Sequence, residues 1–332
     1  MFDIDSKVLR IACCCLSPAL LVFGFISGGR AAQAQATYPD RPVRLVVPSA
    51  PGGNADLLSR IIAQKLRETL GQPFVADNRP GAGAVIGTDI VAKATPDGYT
   101  LLFPSTTHAI TPGLIAKLPF DPVKDFAAIS LVGSTPMIIS VTPTLPAKTI
   151  KELVALAKAN PGQLNYASVG GPTHFAGVLF NTVTGAKIEH VPYKGQSQAF
   201  PDLMSGQVQL MFPSATSVLP FIKAGKIRAL AITSRQRSAI APDLMTAIEA
   251  GLPGYEAGIW NGILAPARTP QAIIARLHAT LVNILKTRDV RESIVVRGAD
   301  PMTSTPAEFE AFITAEIKKW GQVIKDSGAQ AR

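Results

Sequence analysis

The residues best suited to bind a ligand lie in a glycine-containing loop between a predicted strand at 43–47 and a predicted helix. They are all small or polar: Ser49, Ala50, Gly52, Gly53 and Asp56. Glycine lets the backbone approach a ligand closely, and the N–H groups at a helix start form an anion site. Asp56 has two interpretations: it accepts a hydrogen bond from a ligand or a bridging water, or it offsets the helix dipole in an ordinary turn capped by Asn54.

Four later loops repeat this composition of hydroxyl groups, glycine and histidine after predicted strands. Their candidate ligand-binding residues are Thr107, His108, Ser168, Gly170, Thr173, His174, Gly195 and Ser214. Thr173 is expected to cap the helix that follows it. His174 is expected to be a structural hydrogen-bonding residue, because His190 is not at the spacing that places two metal ligands on one helix. The loops contain few acid–base pairs, which favours a binding cleft over a reaction centre.

Motifs for catalysis, cofactors and nucleic acid are missing from the sequence. It contains no G-x-S-x-G, H-E-x-x-H, C-x-x-C or P-loop pattern. The segment 81–87 imitates a dinucleotide fingerprint, but it has one residue too many and follows a complete strand and helix. We therefore expect no cofactor, no metal and, from the dispersed Lys and Arg residues, no nucleic-acid partner. No motif joins a nucleophile to any of the four histidines, His108, His174, His190 and His278.

The first 36 residues have the pattern of a secretory signal peptide. Lys7 and Arg10 precede an apolar run at 11–26, and Ala34-Gln35-Ala36 supplies a small-residue cleavage site. The run is shorter than the roughly 18 to 20 residues that span a bilayer, which disfavours a membrane anchor. A lipoprotein is disfavoured because the apolar run follows the cysteines at 13–15 instead of preceding them. Cleavage after Ala36 predicts an exported, periplasmic chain without cysteine.

The elements that must position these loops alternate along the chain. Apolar residues make up 47% and charged residues 17%, as expected of a globular protein. Short strands separated by helices predict an α/β fold with mostly parallel sheets. Thr305-Pro306-Ala307-Glu308 is a capping box that predicts the start of a long helix. The length of 332 residues suggests two domains or one large one.

Several short motifs, in a fixed order, cover essentially the whole chain after residue 36. They include Tyr38-Pro39-Asp40-Arg41-Pro42, Ala50-Pro51-Gly52-Gly53, Asn78-Arg79-Pro80-Gly81-Ala82-Gly83, Pro96-Asp97-Gly98-Tyr99-Thr100-Leu101-Leu102, Leu118-Pro119-Phe120-Asp121-Pro122, Leu164-Asn165-Tyr166-Ala167-Ser168, His190-Val191-Pro192-Tyr193-Lys194-Gly195, Gly225-Lys226-Ile227-Arg228-Ala229-Leu230-Ala231 and Ala315-Glu316-Ile317-Lys318-Lys319-Trp320. Together they resemble the Bug family, the periplasmic substrate-binding receptors of tripartite tricarboxylate transporters.

The resemblance implies a two-lobed α/β periplasmic binding protein of the Venus-flytrap, type II-like class. Each lobe would hold a mixed, mostly parallel sheet flanked by helices. The chain would cross between lobes near Met137–Val141 and Tyr255–Leu264, giving lobe one as 38–138 plus 258–332 and lobe two as 139–257. The family holds a carboxylate between strand–helix loops of both lobes, which here are the segment from Ser49 to Asp56, the segment from Ser168 to His174, and Gly195.

The function implied is that of a monomeric, non-enzymatic solute receptor that delivers a small organic acid to inner-membrane transporter subunits. Presentation of the ligand to a membrane sensor kinase and an exported hydrolase remain alternatives. Two departures from the family pattern concern the pocket. Pro213-Ser214 stands where relatives commonly have Asp, and the loop from Gly170 to Thr173 is compact. The missing carboxylate suits a ligand without a cationic amine, but the identity of the ligand does not follow.

Overall fold

Short apolar runs bounded by turns form two β-sheets. The structure is a computed structural model, and it describes residues 38–328. In chain order the strands are β1 (Val43–Val47), β2 (Phe74–Asn78), β3 (Thr100–Leu102), β4 (Phe126–Pro136), β5 (Ile138–Val141), β6 (Asn165–Ser168), β7 (Glu189–Pro192), β8 (Leu210–Met211), β9 (Arg228–Ile232), β10 (Gly258–Pro266) and β11 (Asp300–Pro301). The six-stranded sheet has the order β11-β4-β10-β3-β1-β2, and the five-stranded sheet has the order β7-β6-β8-β5-β9.

Helices flank both sheets. In chain order they are α1 (Asn54–Leu70), α2 (Val85–Ala92), α3 (Thr107–Leu114), α4 (Ile150–Ala159), α5 (Gly171–Thr184), α6 (Gln196–Ser205), α7 (Ala215–Lys223), α8 (Gln271–Lys286), α9 (Arg288–Val296) and α10 (Pro306–Asp326). A short 3-10 turn, Ala82–Ala84, precedes α2. The predicted α/β class with mixed sheets is confirmed.

The two sheets are mixed more evenly than the sequence suggested. β1 pairs in parallel with β2 and β3, and β6 pairs in parallel with β7 and β8. The pairings of β10 with β3 and β4, of β11 with β4, and of β5 with β8 and β9 are antiparallel. The chain leaves the six-stranded sheet through β4 and returns through β10. These two neighbouring strands therefore run in opposite directions, which strand and helix alternation alone does not reveal.

Helix α1 shows how local sequence sets an element that carries part of the site. Leu58, Ile62 and Leu66 recur every four residues and are fully buried. The helix ends at Gly71, whose φ of 76° favours glycine and whose N–H donates to the Arg67 carbonyl. The predicted capping box at the start of α10 is also confirmed by reciprocal hydrogen bonds between Thr305 and Glu308.

A buried carboxylate joins helix α10 to strand β10. Glu316 Oε2 accepts hydrogen bonds from the indole nitrogens of Trp260, at 3.1 Å, and Trp320, at 2.9 Å. Lys319 Nζ pairs with the other oxygen of the same carboxylate. A buried charge is tolerated here because hydrogen bonds and a counter-ion compensate for the lost water. The contact fixes the C-terminal helix against the strand by which the chain returns to the first sheet.

The strands of each sheet fall within the lobe ranges expected from the sequence, apart from β5, which begins one residue early at Ile138. One hydrophobic core nevertheless continues from Val46 in the first sheet to Tyr166 in the second. The described residues from Pro39 onward form a single compact unit. The two lobe boundaries therefore stay a prediction. Within the described residues, no helix combines the length and the apolar character needed to cross a bilayer. The predicted signal peptide lies outside the residues that the structure describes.

Candidate functional site

The loop between β1 and α1 is held from inside by Asp56. This carboxylate is 3% exposed. Its Oδ2 accepts the Gly52 N–H at 2.9 Å, and its Oδ1 accepts a hydrogen bond from Arg60 Nε at 2.9 Å. Burial raises the pKa of Asp56, but the hydrogen bonds from Gly52, Arg60 and Asn78 outweigh it and leave the pKa below its usual value. This geometry supports a role for Asp56 in the turn itself.

Arg60 and Asn78 extend this contact to the neighbouring strand. Arg60 Nη2 donates to Asn78 Oδ1 at 3.1 Å, and Asn78 Nδ2 donates to the Ser49 carbonyl at 3.1 Å. The hydroxyl of Ser49 is buried and has no hydrogen-bond partner among the described residues. Arg60 and Asn78 were not among the candidate site residues predicted from the sequence. The i,i+4 spacing of Asp56 and Arg60 and the place of Asn78 at the end of β2, opposite Val47, could have identified them.

The start of α1 differs from the simple capped turn. The N-cap position is Gly53, which provides no side-chain hydrogen bond to the helix. The interpretation of Asn54 as the cap is wrong, because Asn54 is the first helical residue and its Nδ2 donates to Thr135 Oγ1 on β4 at 2.5 Å. The first N–H groups of an α-helix have no carbonyl partner within the helix. With no capping side chain, this helix start retains the capacity to bind an anion.

The loop between β6 and α5 is built on glycine and neutral hydrogen bonds. Gly170 is the N-cap of α5, with a φ of 85°, and a Cβ atom there or at Gly171 would meet open space. The Gly170 N–H donates to Ser168 Oγ at 3.3 Å. The prediction that Thr173 caps this helix is wrong, because the helix begins at Gly171. The Thr173 hydroxyl instead donates to the Gly170 carbonyl at 2.8 Å. This second helix start also lacks a capping side chain.

Two histidines meet beside this loop. The ring centroids of His174 and His190 are 4.1 Å apart. His174 Nδ1 lies 3.0 Å from the Tyr166 hydroxyl, and His190 Nε2 lies 2.8 Å from Ser168 Oγ. Burial, with the neighbouring His190, lowers the pKa of His174 to about 4, and burial also lowers the pKa of His190. Both rings are therefore neutral at neutral pH, and each can donate or accept a hydrogen bond.

The contact between His174 and His190 could not be predicted from their spacing in the sequence. His174 lies early in α5, whereas His190 lies on β7, in register with Tyr166 on the parallel strand β6. Ser168 follows Tyr166 by two residues and so shares its side of the strand. Recognising β6 and β7 as parallel neighbours would have placed Tyr166, Ser168 and His190 together.

The hydroxyl–imidazole contact of Ser168 and His190 is a pair that no catalytic motif predicted. Ser168 is 1% exposed, and its oxygen already accepts the Gly170 N–H. Among the described residues, no carboxylate forms a hydrogen bond or an ion pair with His190 that would orient it as a general base. The contact is therefore that of a structural network.

The remaining predicted residues are spread along other loops. His108 is buried, its Nε2 lies 2.8 Å from the Pro122 carbonyl, and its ring packs against Phe126. Its contacts are thus those of a packing residue, while Thr107, at the start of α3, is half-buried. Gly195 and Ser214 are the N-cap residues of α6 and α7, and neither forms a side-chain cap. The structure therefore joins Ser168, Gly170, Thr173 and His174 in one cluster.

Two concave regions contrast in size and chemistry. A narrow space lies beside Ser168 and Thr173, is also lined by Gln196 and Phe212, and is too small to admit a water molecule. A wide, open depression of about 550 Å³ lies along residues 112–125. Its Asp121 side chain already accepts the N–H groups of Val123 and Lys124. We place the candidate site at the start of α5, beside the smaller space, because Ser168, Gly170 and His174 converge there next to an uncapped helix start. Among residues 38–328, no three His, Cys, Asp or Glu side chains are grouped to hold a metal ion.

Comparison of this chain with known proteins identifies its family. A family model described as "Tripartite tricarboxylate transporter family receptor" matches residues 58–329. Protein BugT of Bordetella pertussis is 38% identical over 300 residues, which cover 89% of this chain and 92% of BugT.

Two solved structures with bound acids are also similar. R. palustris Rpa4515 with adipate has a TM-score of 0.73 at 35% identity, covering 89% of this chain and 100% of that chain. MatC from Rhodopseudomonas palustris with bound malate has a TM-score of 0.69 at 33% identity, covering 86% of this chain and 100% of that one. The resemblance inferred from the sequence motifs is confirmed, and the chain belongs to the tripartite tricarboxylate transporter receptor family, as a Bug-type solute-binding protein.

Proposed function

We propose that this protein is an exported receptor that binds a small carboxylate between two lobes and delivers it to a membrane transporter of the tripartite tricarboxylate type. The observation that carries the proposal is that two similar structures hold dicarboxylates, adipate and malate. This chain offers the matching chemistry in the uncapped helix starts after β1 and β6. A helix start favours negative charge through its N–H groups and its dipole.

The two loops have complementary roles in the proposal. From the first lobe, the uncapped helix start after Gly53 supplies backbone N–H groups and Ser49 supplies one unpartnered hydroxyl. The segment from Ser168 to His174 supplies backbone and neutral imidazole groups from the second lobe. A ligand that contacts both lobes stabilises the closed arrangement, because only differential contacts shift a conformational equilibrium. This uses no covalent chemistry, and we propose a receptor without enzymatic activity.

The nature of the acid is narrowed by Pro213-Ser214, which stands where the family pattern commonly has Asp and often Asn. The Ser214 hydroxyl donates to Ser217 Oγ at 3.0 Å at the start of α7. A carboxylate there would neutralise a cationic amine on the ligand. We therefore propose an organic acid without an amino group.

Export and delivery are also part of the proposal. We propose that the leader is removed near Ala36, that the protein acts in the periplasm as a monomer, and that inner-membrane transporter subunits receive its ligand. N-terminal sequencing of the exported protein should find Thr37 first. An uncleaved leader on a membrane-bound product would contradict this part.

Calorimetry tests the binding proposal. The exported protein is titrated with adipate, malate and aromatic acids, and with adipamide as the uncharged counterpart of adipate. We expect at least one acid to bind with a rise in the thermal midpoint, and adipamide to produce none, because the helix starts recognise charge. Absence of binding across the acids would overturn the proposed ligand class. Turnover of a bound acid would instead revive the hydrolase hypothesis.

A further inference from the structure

One buried hydroxyl lies where both chain crossings between the sheets meet. Thr233 follows β9 and is fully buried. Met137 is the residue between β4 and β5, where the chain leaves the six-stranded sheet. Ala257 directly precedes β10, by which the chain returns. Thr233 is hydrogen-bonded to both of these residues.

The backbone of Thr233 contributes one hydrogen bond to each crossing. Its N–H donates to the Met137 carbonyl at 2.9 Å, and its carbonyl accepts the Ala257 N–H at 3.1 Å. The side chain repeats both connections. The hydroxyl oxygen accepts the Met137 N–H at 2.9 Å. The hydroxyl donates to the Ala257 carbonyl, with 2.5 Å between the oxygens, and the Met137 carbonyl oxygen lies 3.0 Å from the same hydroxyl.

The same crossing leads to the candidate site. Met137 forms an isolated antiparallel bridge with Ser214, and the Ile138 N–H donates to the Pro213 carbonyl at 3.0 Å. The backbone at residues 137 and 138 is thus paired with the loop that carries Ser214. Thr233 is hydrogen-bonded to Met137 from the opposite side.

We propose that Thr233 is a positioning residue for ligand capture: its hydroxyl couples the two crossings so that they bend together as one hinge. The inference rests on the proposed function, in which two lobes close on an acid. Without the hydroxyl, the Met137 N–H loses its buried acceptor, and the two crossings are held only by the backbone of residue 233. Each crossing then bends more independently, and the closed arrangement becomes harder to reach.

The test compares Thr233→Val, which keeps the shape of the side chain and loses the hydroxyl, with Thr233→Ser, which keeps the hydroxyl. Thr184→Val is the matched control. The Thr184 hydroxyl is also buried, donates to a carbonyl (Phe180) and accepts an N–H (Ala186), but it lies at the end of α5. The control therefore loses the same chemistry away from the crossings.

Hydrogen exchange of the ligand-free protein, followed by mass spectrometry, supplies the first measurement. In Thr233→Val we expect the segments around Met137 and Ala257 both to exchange about tenfold faster, while Thr233→Ser stays close to the original protein. Thr184→Val should leave both segments unchanged. Faster exchange at only one crossing, or the same pattern in both valine variants, would overturn the proposal.

Adipate binding supplies the second measurement. We expect Thr233→Val to weaken binding by about tenfold beyond the effect of Thr184→Val, and Thr233→Ser to restore it. Equal affinity for adipate in the two valine variants would mean that Thr233 has only a structural role, and would overturn the proposal. If the original protein binds no acid, the proposed function fails, whereas the exchange data still decide whether the crossings are coupled.

Discussion

The loops after β1 and β6 have the same plan of strand, glycine and uncapped helix, yet they are held by opposite means. Asp56 and Arg60 hold the first loop with charges, and the aspartate directs its charge inward at Gly52. Ser168, His174 and His190 hold the second with neutral hydrogen bonds. The comparison shows that the same strand–glycine–helix loop can be stabilised either by charged side chains or by neutral hydrogen bonds. The first loop should tolerate acid and depend on the Asp56 carboxylate, whereas the second should depend on unprotonated histidine.

The largest effect is expected from Asp56→Ala. The variant removes a buried acceptor from the Gly52 N–H and from Arg60, so the free energy of unfolding should fall by about 2 kcal/mol. Denaturant unfolding measures this change. Glu152→Ala is the control, because Glu152 is also a first-turn acid that accepts a backbone N–H, from Lys148, but is exposed. A loss no larger than that of the control would show that charge does not hold the first loop.

Gly53→Asp separates the stability of the first loop from its affinity for anions. Gly53 has an extended backbone, with φ −77° and ψ 169°, which aspartate adopts without strain. Aspartate is a good N-cap, so folding stability should change by less than about 0.5 kcal/mol. Its charge would compete with a bound carboxylate, and adipate should bind at least about tenfold more weakly in calorimetry. Gly53→Asn is the uncharged control. Equal affinity in both variants would place the anion site elsewhere.

The pH dependence of local stability distinguishes the loops directly. Burial depresses the pKa of His174 to about 4 in the folded protein, from a usual value of 6.5. The stability that the neutral His174 ring gives to the fold is therefore fully present above pH 6.5 and is lost as the pH falls toward 4. After allowing for the partial exposure of the ring, we expect the free energy of unfolding to fall by about 1 kcal/mol over this range. The pKa of Asp56 is lowered from 3.8, so the stability that its carboxylate gives to the first loop is lost only when the pH falls below 3.8.

Hydrogen exchange corrected for the intrinsic effect of pH should therefore show the second loop opening between pH 6 and 4.5 while the first stays protected. His174→Gln, which keeps a polar side chain that does not titrate, should reduce the pH dependence of the second loop, and the double variant with His190→Gln should remove it, because burial lowers the pKa of His190 as well. Simultaneous opening of both loops would contradict the comparison.

The smallest effect is expected from Arg60→Met. The Arg60 side chain is 54% exposed, and exposed ion pairs contribute little. We expect the free energy of unfolding to fall by less than about 1 kcal/mol, because Asp56 keeps its bond from Gly52. A double-mutant cycle with Asp56→Ala measures the coupling. A loss as large as that of Asp56→Ala would mean that the guanidinium is the principal support of the loop.

Local sequence was sufficient for much of the fold. A helix was predicted after the strand at 43–47, where Leu58, Ile62 and Leu66 of α1 recur every four residues, and the capping box at Thr305 predicted the start of α10. The candidate site was predicted only at the level of loops. His174 was expected to be a hydrogen-bonding residue, but its partners Tyr166 and His190 were missed, because one belongs to the preceding strand and the other to the neighbouring strand.

The sequence by itself determined that glycine-containing loops join strands to helices near residues 48–56 and 168–174, because those features depend on residues within one or two turns of each other. Its ordered motifs also determined the family. Only the tertiary structure decided that Asp56 faces inward, that His174 meets His190, and that Thr233 contacts both crossings. These contacts join residues distant in the chain or on neighbouring elements, and strand register and helix packing bring them together only once the sheets have formed.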